Sequence, residues 1–155
     1  MTEAIPAATL VLFRDGVNGP EHLFVERAAT MVFAGGAAVF PGGRVDPGDR
    51  DAAKRFPALD PDDAAARIAA IRETVEEAGI AVGFTGPVDV EAIRAALHAG
   101  KPIGELLDAY NLTLDLDALV PFARWRPNFK ETRTFDTRFY LARVDADHAE
   151  ARVDR

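Results

Sequence analysis

Glu73, Glu76 and Glu77 stand at i, i+3 and i+4 in the run Arg72-Glu73-Thr74-Val75-Glu76-Glu77-Ala78-Gly79-Ile80. Wound as a helix, that spacing puts all of these carboxylates on one face within a single turn. Each like-charge pair at this spacing costs about 0.2 to 0.5 kcal/mol on a solvated helix, and more where the face turns inward. A divalent cation reverses the sign. Hard oxygen donors of this kind suit Mg2+ or Mn2+, which keep several waters and complete their shell with carboxylates and phosphate. A water polarised in this way can attack phosphorus while positive charge neutralises the leaving phosphate, which is the chemistry of diphosphate hydrolysis. The plainer alternative is an exposed acidic face, which is what most charge clusters are.

Something must hold such a face in place. Ala64, Ile68, Ile71, Val75 and Ala78 follow the 3/4 spacing of a buried stripe pointing roughly opposite to the glutamates. Asp60-Pro61-Asp62-Asp63 offers an N-cap, a proline at the first helical position and acids in the first turn, and Gly79 sits where a left-handed C-cap belongs. The spacing predicts a helix over 61–78. Upstream, Ala37-Ala38-Val39-Phe40 reads as a strand running into Pro41-Gly42-Gly43, where glycines let the backbone turn sharply and approach a ligand. Residues 7–14 and 22–27 read as two strands of a hairpin around the turn signal Asp15-Gly16-Val17-Asn18-Gly19-Pro20. Residues 81–84 suggest a short strand or an extended exit from the helix, 89–98 and 103–110 two helices, and 119–127 and 134–143 two late strands with a loop at 128–133. The alanine-rich patch at 64–66 reads simply as helix former.

The string R-E-x-x-E-E-x-G-I, preceded by Pro41-Gly42-Gly43-Arg44-Val45-Asp46-Pro47-Gly48-Asp49, resembles the signature of the Nudix hydrolases, G-x5-E-x7-R-E-U-x-E-E-x-G-U with U a bulky aliphatic. Asp49 replaces the upstream glutamate and Thr74 the first aliphatic, and 22 residues separate Asp49 from Arg72 where the pattern has 7. The insertion, about 50–65, is expected to loop out without moving the carboxylates. The resemblance implies an α/β/α sandwich with a mixed β-sheet and a helical insertion after the signature helix. It also implies divalent-metal-dependent hydrolysis of a diphosphate linkage in a nucleoside diphosphate derivative. Carried over residue by residue, Glu76 and Glu77 become the principal metal ligands, Glu73 a further ligand or the group that orients water, and Arg72 the residue that holds the carboxylates by ion pairing. The main-chain carbonyl of Gly43 becomes a metal ligand. Glu73 and Glu76 are the candidates for the general base inside the signature. Arg27, at a strand end, falls where the family often keeps a basic residue beside the substrate; a solvated strand-end charge explains it as well. Arg44 and Asp46 are placed at the same mouth. The long insertion, the helical excursion and the later Phe135-Asp136-Thr137-Arg138-Phe139 strand resemble the branch grouped with coenzyme A diphosphatases. Coenzyme A is therefore the narrower expectation and a nucleotide-type small molecule the broader one.

Arg133 and Arg138 are candidate phosphate contacts, since a guanidinium grips phosphate oxygens in a bidentate way, although either could pair with an acid in so acidic a chain. Trp125 reads as core or interface. His22, His98 and His148 show no metal-ligand spacing and are assigned no role. At 155 residues and 48% hydrophobic the chain has the material for one domain with a real core. A net charge of -7 and a pI near 4.9 argue against long nucleic acid or an anionic membrane surface as partner. With no cysteine, disulfides, thiolate catalysis and Cys-based metal sites are excluded. No signal-peptide pattern or apolar run of about 20 residues is present, so a cytoplasmic location is expected. Members of the resembling family usually continue past the 135–139 strand with another strand and a helix, whereas 145–155 is polar without a core pattern, so the resemblance implies a fold incomplete at the C-terminus and a homodimer covering the open edge. The alternative function is a non-catalytic, nucleotide-binding or regulatory domain of the same fold, against which the intact Glu73, Glu76 and Glu77 argue.

Overall fold

The computed structural model describes residues 3–26, 36–127 and 134–144. Arg27, Arg133, His148, the 128–133 loop and the tail 145–155 lie outside the described residues. Along the chain the strands are β1 (Ile5–Gly16), β2 (Gly19–His22), β3 (Val25–Glu26), β4 (Ala38–Val39) and β5 (Gly42–Arg44). Helices α1 (Pro47–Ala53) and α2 (Pro61–Ala78) follow, then β6 (Phe84–Thr85), α3 (Val90–His98), α4 (Ile103–Ala109), β7 (Thr113–Leu114), β8 (Val120–Trp125) and β9 (Phe135–Arg143).

The sheet is assembled on β1. Its Ala8, Leu10 and Leu12 are buried at alternate positions, which gives the period of two that turns one face of a strand inward. Along one side β1 runs parallel to β9, from Ile5 opposite Phe135 to Phe13 opposite Arg143. Along the other it is long enough for two antiparallel partners, β5 beside Ala7–Thr9 and β2 beside Phe13–Gly16. Strand β8 pairs antiparallel with β9 and completes a mixed sheet. Tyr140 and Ala142 of β9 share the buried face with Leu10 and Leu12. Helix α2 lies across that face. Ile68, Ile71 and Val75 are fully buried against it, and Tyr140 donates its hydroxyl to Asp63 at 2.7 Å. Among the described residues no helix is long and apolar enough to cross a membrane.

The bounds of α2 match the expected 61–78. The Asp63 backbone N–H donates to the Asp60 carboxylate at 3.0 Å, and Gly79 takes the left-handed conformation at φ 66°. The expected stripe is buried, but burial runs further round the helix. Ala65, Ala66, Ala69 and Ala70 are buried too, so these alanines are more than helix formers. Small side chains let helix α1 and the sheet both approach α2 closely, and a longer residue there would hold them apart.

Elsewhere the chain departs from expectation. The hairpin turn is where it was placed, but its return strand is β2; the expected 22–27 strand survives only as β3, which leaves β1 to pair with β4. Gly42 and Gly43 are not a turn. They form β5, paired with Thr9 and Ala8. The insertion does not loop out: its first part belongs to α1, packed on α2, and its last part is the first turn of α2. Residues 81–84 are extended only at their end, in β6. Of the two readings of Trp125, core does not hold, since it is 57% exposed on a strand exposed along its length.

Candidate active site

Helix α2 crosses the sheet obliquely, so its N-terminal turn lies over β9 and its C-terminal turns lie over β5. That crossing brings Glu73 and Glu77 onto the glycine corner. A β-carbon placed on Gly43 would stand 2.7 Å from Cδ of Glu73, and the Gly42 backbone N–H donates to Oε1 of Glu77 at 3.3 Å. Gly43 lacks a side chain where the Glu73 carboxylate needs the space. Glu73 and Glu76 side chains are only 17% and 23% exposed, so the acidic face is turned onto the protein and not splayed into solvent.

Arg72 organises this face. Its guanidinium, 6% exposed, donates from Nε and Nη2 to the two oxygens of Asp49, each at 3.0 Å, and from Nη2 to the Arg44 carbonyl at 2.9 Å. Nη1 reaches Glu73 at 3.0 Å and Glu76 at 3.3 Å. Asp49 is fully buried and takes a further bond from the Asp46 backbone N–H at 2.8 Å. Burial pushes the Asp49 carboxyl above its ordinary value, with Arg72 pulling it back. Burial also works against the Arg72 charge, but Asp49, Glu73 and Asp46 outweigh it and hold the guanidinium more firmly protonated than usual. The planar fork of arginine suits this bidentate grip, which a lysine could not make. Thus the 22 residues between Asp49 and Arg72 fold back on themselves and return the two side chains to contact.

The Glu73 carboxyl is pushed up to about 8, first by burial, which the Arg72 charge only partly offsets and the Glu76 and Glu77 charges reinforce. An unfolded chain releases this proton near 4.5, so between these values the folded, metal-free protein holds a proton that the unfolded chain has lost. Its contribution is fully present below the unfolded value and is lost as pH rises through the folded one, by up to about 1.4 kcal/mol per pH unit inside the window. Urea unfolding of metal-free protein at about pH 5 and about pH 8 checks this, with wild type expected to lose stability relative to Glu73→Gln. Parallel behaviour of the two proteins would mean that Glu73 titrates like a free carboxyl.

Gly42 and Gly43 make a second, contrasting prediction. A β-carbon on Gly43 meets the movable end of Glu73, so Gly43→Ala should fold normally and lose activity by about 10-fold or more through displacement of one carboxylate. A β-carbon on Gly42 meets the Ala8 carbonyl and stands 3.0 Å from Thr9 Cα, which are backbone atoms of β1. Gly42→Ala should therefore lower the melting temperature. Thermal melts beside activity assays separate the two, and an active, normally stable Gly42→Ala protein would contradict the geometry.

The remaining candidates fall elsewhere. The Arg44 side chain alternates to the opposite face of β5, with its guanidinium 5.7 Å from the Phe135 ring centre, and it is the Arg44 carbonyl that joins the site. Asp46 stands 3.4 Å from Arg72. Arg138 sits two strands from Gly43, about 10 Å away at the usual strand spacing, and is 3.9 Å from Asp63 at the far end of α2. Arg27 and Arg133 lie outside the described residues.

Two neighbours carry no sequence signal of a role. Arg94 of α3 donates to the Glu76 carbonyl at 3.0 Å and the Glu77 carbonyl at 3.3 Å, and His98 Nε2 is 3.0 Å from the same Glu76 carbonyl. The helical excursion thus packs behind the glutamates. The one available hint is that the last turn of α2 contains no basic residue to face its own carbonyls.

The donors fit a divalent cation in kind: clustered hard oxygens, partly desolvated and short of positive charge, since Arg72 is already bound to Asp49. Among the described residues no three acidic or imidazole side chains stand already converged as a ligand set. Arg72 bonds to both Glu73 and Glu76, and Glu77 is turned to Gly42.

No family model matches the chain. Among solved structures, a NUDIX hydrolase from Alicyclobacillus acidocaldarius is 36% identical over all of this chain and 76% of its own, with a TM-score of 0.86. An Ap4A hydrolase from C. elegans is 18% identical, with a TM-score of 0.50 over 98% of this chain and 76% of its own. The NUDIX domain of Shewanella oneidensis NrtR, solved with ADP ribose, is 12% identical, with a TM-score of 0.55 over 100% of this chain and 68% of its own. The last two share the fold alone. With a relative of this identity and coverage, the chain belongs to the Nudix hydrolases, pyrophosphohydrolases acting on acid anhydrides.

Proposed function

We propose that this enzyme hydrolyses the diphosphate linkage of a nucleoside diphosphate derivative, with coenzyme A or a related compound as the narrower substrate class and Mg2+ or Mn2+ as cofactor. The observation that carries the reading is the seating of Glu73 on Gly43 and Glu77 on Gly42, with Glu76 held beside Glu73 by an Arg72 locked from behind by Asp49. Glu76, Glu77 and Glu73, with the Gly43 carbonyl, are the groups that would hold the cation. When bound there, a divalent ion supplies a polarised water and positive charge against the phosphate oxygens.

The chain's own residues do the rest. Arg72 fixes the Glu73 and Glu76 carboxylates relative to the helix. Glu73 and Glu76, both held by Arg72 Nη1, are the candidates to accept the proton that the attacking water gives up. Water adds across the P–O–P bridge, so each phosphorus fragment leaves as a phosphomonoester.

The test is a product screen with Mg2+ or Mn2+ against coenzyme A, ADP-ribose, NADH, dinucleoside polyphosphates and nucleoside triphosphates, run with and without a chelator. Metal-dependent release of two phosphomonoesters from one of the diphosphate-linked compounds is expected. Tight nucleotide binding with no product in any condition would favour a regulatory domain.

A further inference from the structure

We infer that Arg94, with His98 beside it, is a positioning residue for the carboxylate ligands, acting from the helical excursion through the backbone of the signature helix. The inference rests on the metal-dependent reading above and deepens it.

The argument begins with where the acids are. Glu76 and Glu77 lie in the last turn of α2, where the aligned peptide dipoles leave partial negative charge and the final carbonyls have no partner within the helix. Three carboxylates near this end make it the most unfavourable part of the helix for them. A lysine or arginine in the last turn would offset this, but α2 has none. The answer comes from α3, 17 and 18 residues on: Arg94 Nε donates to the Glu76 carbonyl and Nη2 to the Glu77 carbonyl. A carbonyl oxygen can only accept, so the His98 Nε2 that faces the Glu76 carbonyl at 3.0 Å carries the hydrogen.

These bonds reach the backbone of the very residues whose side chains would hold the cation. A ligand carboxylate is placed by its own rotamer and by the Cα that carries it, and the second depends on how firmly the last turn is fixed. That turn would otherwise fray. The fork of Arg94 ties two consecutive peptide units at once, and α3 is anchored independently by Ile93 and Leu97, which are buried in the core. Helix α3 therefore serves as a splint on the outer side of the glutamates, with the β5 glycines on the inner side.

The experiment measures Mn2+ binding by titration calorimetry, together with the Mg2+ dependence of hydrolysis, in wild type, Arg94→Gln and Arg94→Lys. Arg94→Gln is expected to weaken Mn2+ binding and to raise the half-activating Mg2+ concentration about 10-fold, the usual effect of losing a group that orients a ligand. KM for the substrate at saturating metal should stay within about twofold, because no bond to substrate is lost. Arg94→Lys, which keeps the charge and one donor, should recover part of the loss. Arg55→Ala serves as the structural control, because it removes a bridge between the turn after α1 and helix α4 that touches no glutamate. It should lower the melting temperature without moving the metal affinity. Unchanged Mn2+ binding in Arg94→Gln, or a loss matched by Arg55→Ala, overturns the inference while leaving the reaction intact. Tighter Mn2+ binding also overturns it, since Arg94 would then act only as a repelling charge. A wild-type protein that neither binds Mn2+ nor hydrolyses any anhydride refutes the proposed function, and this inference falls with it.

Discussion

Asp49→Ala is expected to lower stability by about 3 kcal/mol, the lower end of the cost of removing one partner from a buried ion pair. In the native protein Asp49 is fully buried and both its oxygens bond to Arg72. Without it the Arg72 guanidinium keeps its burial and loses its main counter-charge. The cost stays at the low end because Glu73 and Glu76 remain within reach of Nη1. For a domain of this size the change corresponds to a fall of about 6 to 12 °C in melting temperature. The same shift of partners should harm catalysis, since a guanidinium released from Asp49 leans on the two glutamates and competes with any cation for them. Asp49→Asn, which preserves shape and a hydrogen-bond acceptor, should fall between wild type and Asp49→Ala in stability. A melting temperature for Asp49→Ala within about 2 °C of wild type would show that the pair contributes little beyond packing.

How much of this was readable beforehand depends on the range of the interaction that fixes each feature. Helix α2 was legible to the residue because its signals are local: Asp60 caps it, Pro61 starts it and Gly79 ends it. The glutamate face was legible for the same reason, since i, i+3, i+4 geometry is set by the helix alone. Strands β3, β4 and β5 are short and take their identity from partners far along the chain, which local composition does not encode. Pro41-Gly42-Gly43 therefore read as a turn, although Gly42 and Gly43 serve as a strand whose lack of side chains admits Ala8 on one strand and Glu73 on the helix. Arg44 read as a basic side chain at the mouth; strand alternation sends it to the other face and leaves only its carbonyl. Arg94 and His98 were invisible as site residues because a cation on one helix bonding carbonyls on another leaves no spacing pattern.

Glu76→Gln and Glu77→Gln are each expected to lower kcat by about 10² to 10³, which corresponds to losing about 3 to 4 kcal/mol of transition-state stabilisation, the scale on which a bound cation acts. The substitution keeps the length and an acceptor oxygen, so Gly42 can still donate to residue 77 and Arg72 to residue 76. The fold should be indifferent. Metal-free melting temperatures should stay within a few degrees, because the lost attraction to Arg72 or Gly42 is balanced by relief of repulsion among the acids, worth about 0.2 to 0.5 kcal/mol per pair. This separation of activity from stability is what marks a carboxylate kept for chemistry, and it is the reverse of the pattern expected for Asp49, where stability carries the larger loss. The double variant should fall little below the worse single one, since groups that hold a common ion act as a unit. Equal product release by wild type and both single variants, in protein of verified purity, would place the reaction elsewhere in the molecule. Loss of folding in either variant would make these acids structural, and the balance of charge on the signature helix would then have to be argued anew from Arg72 and Asp49 alone.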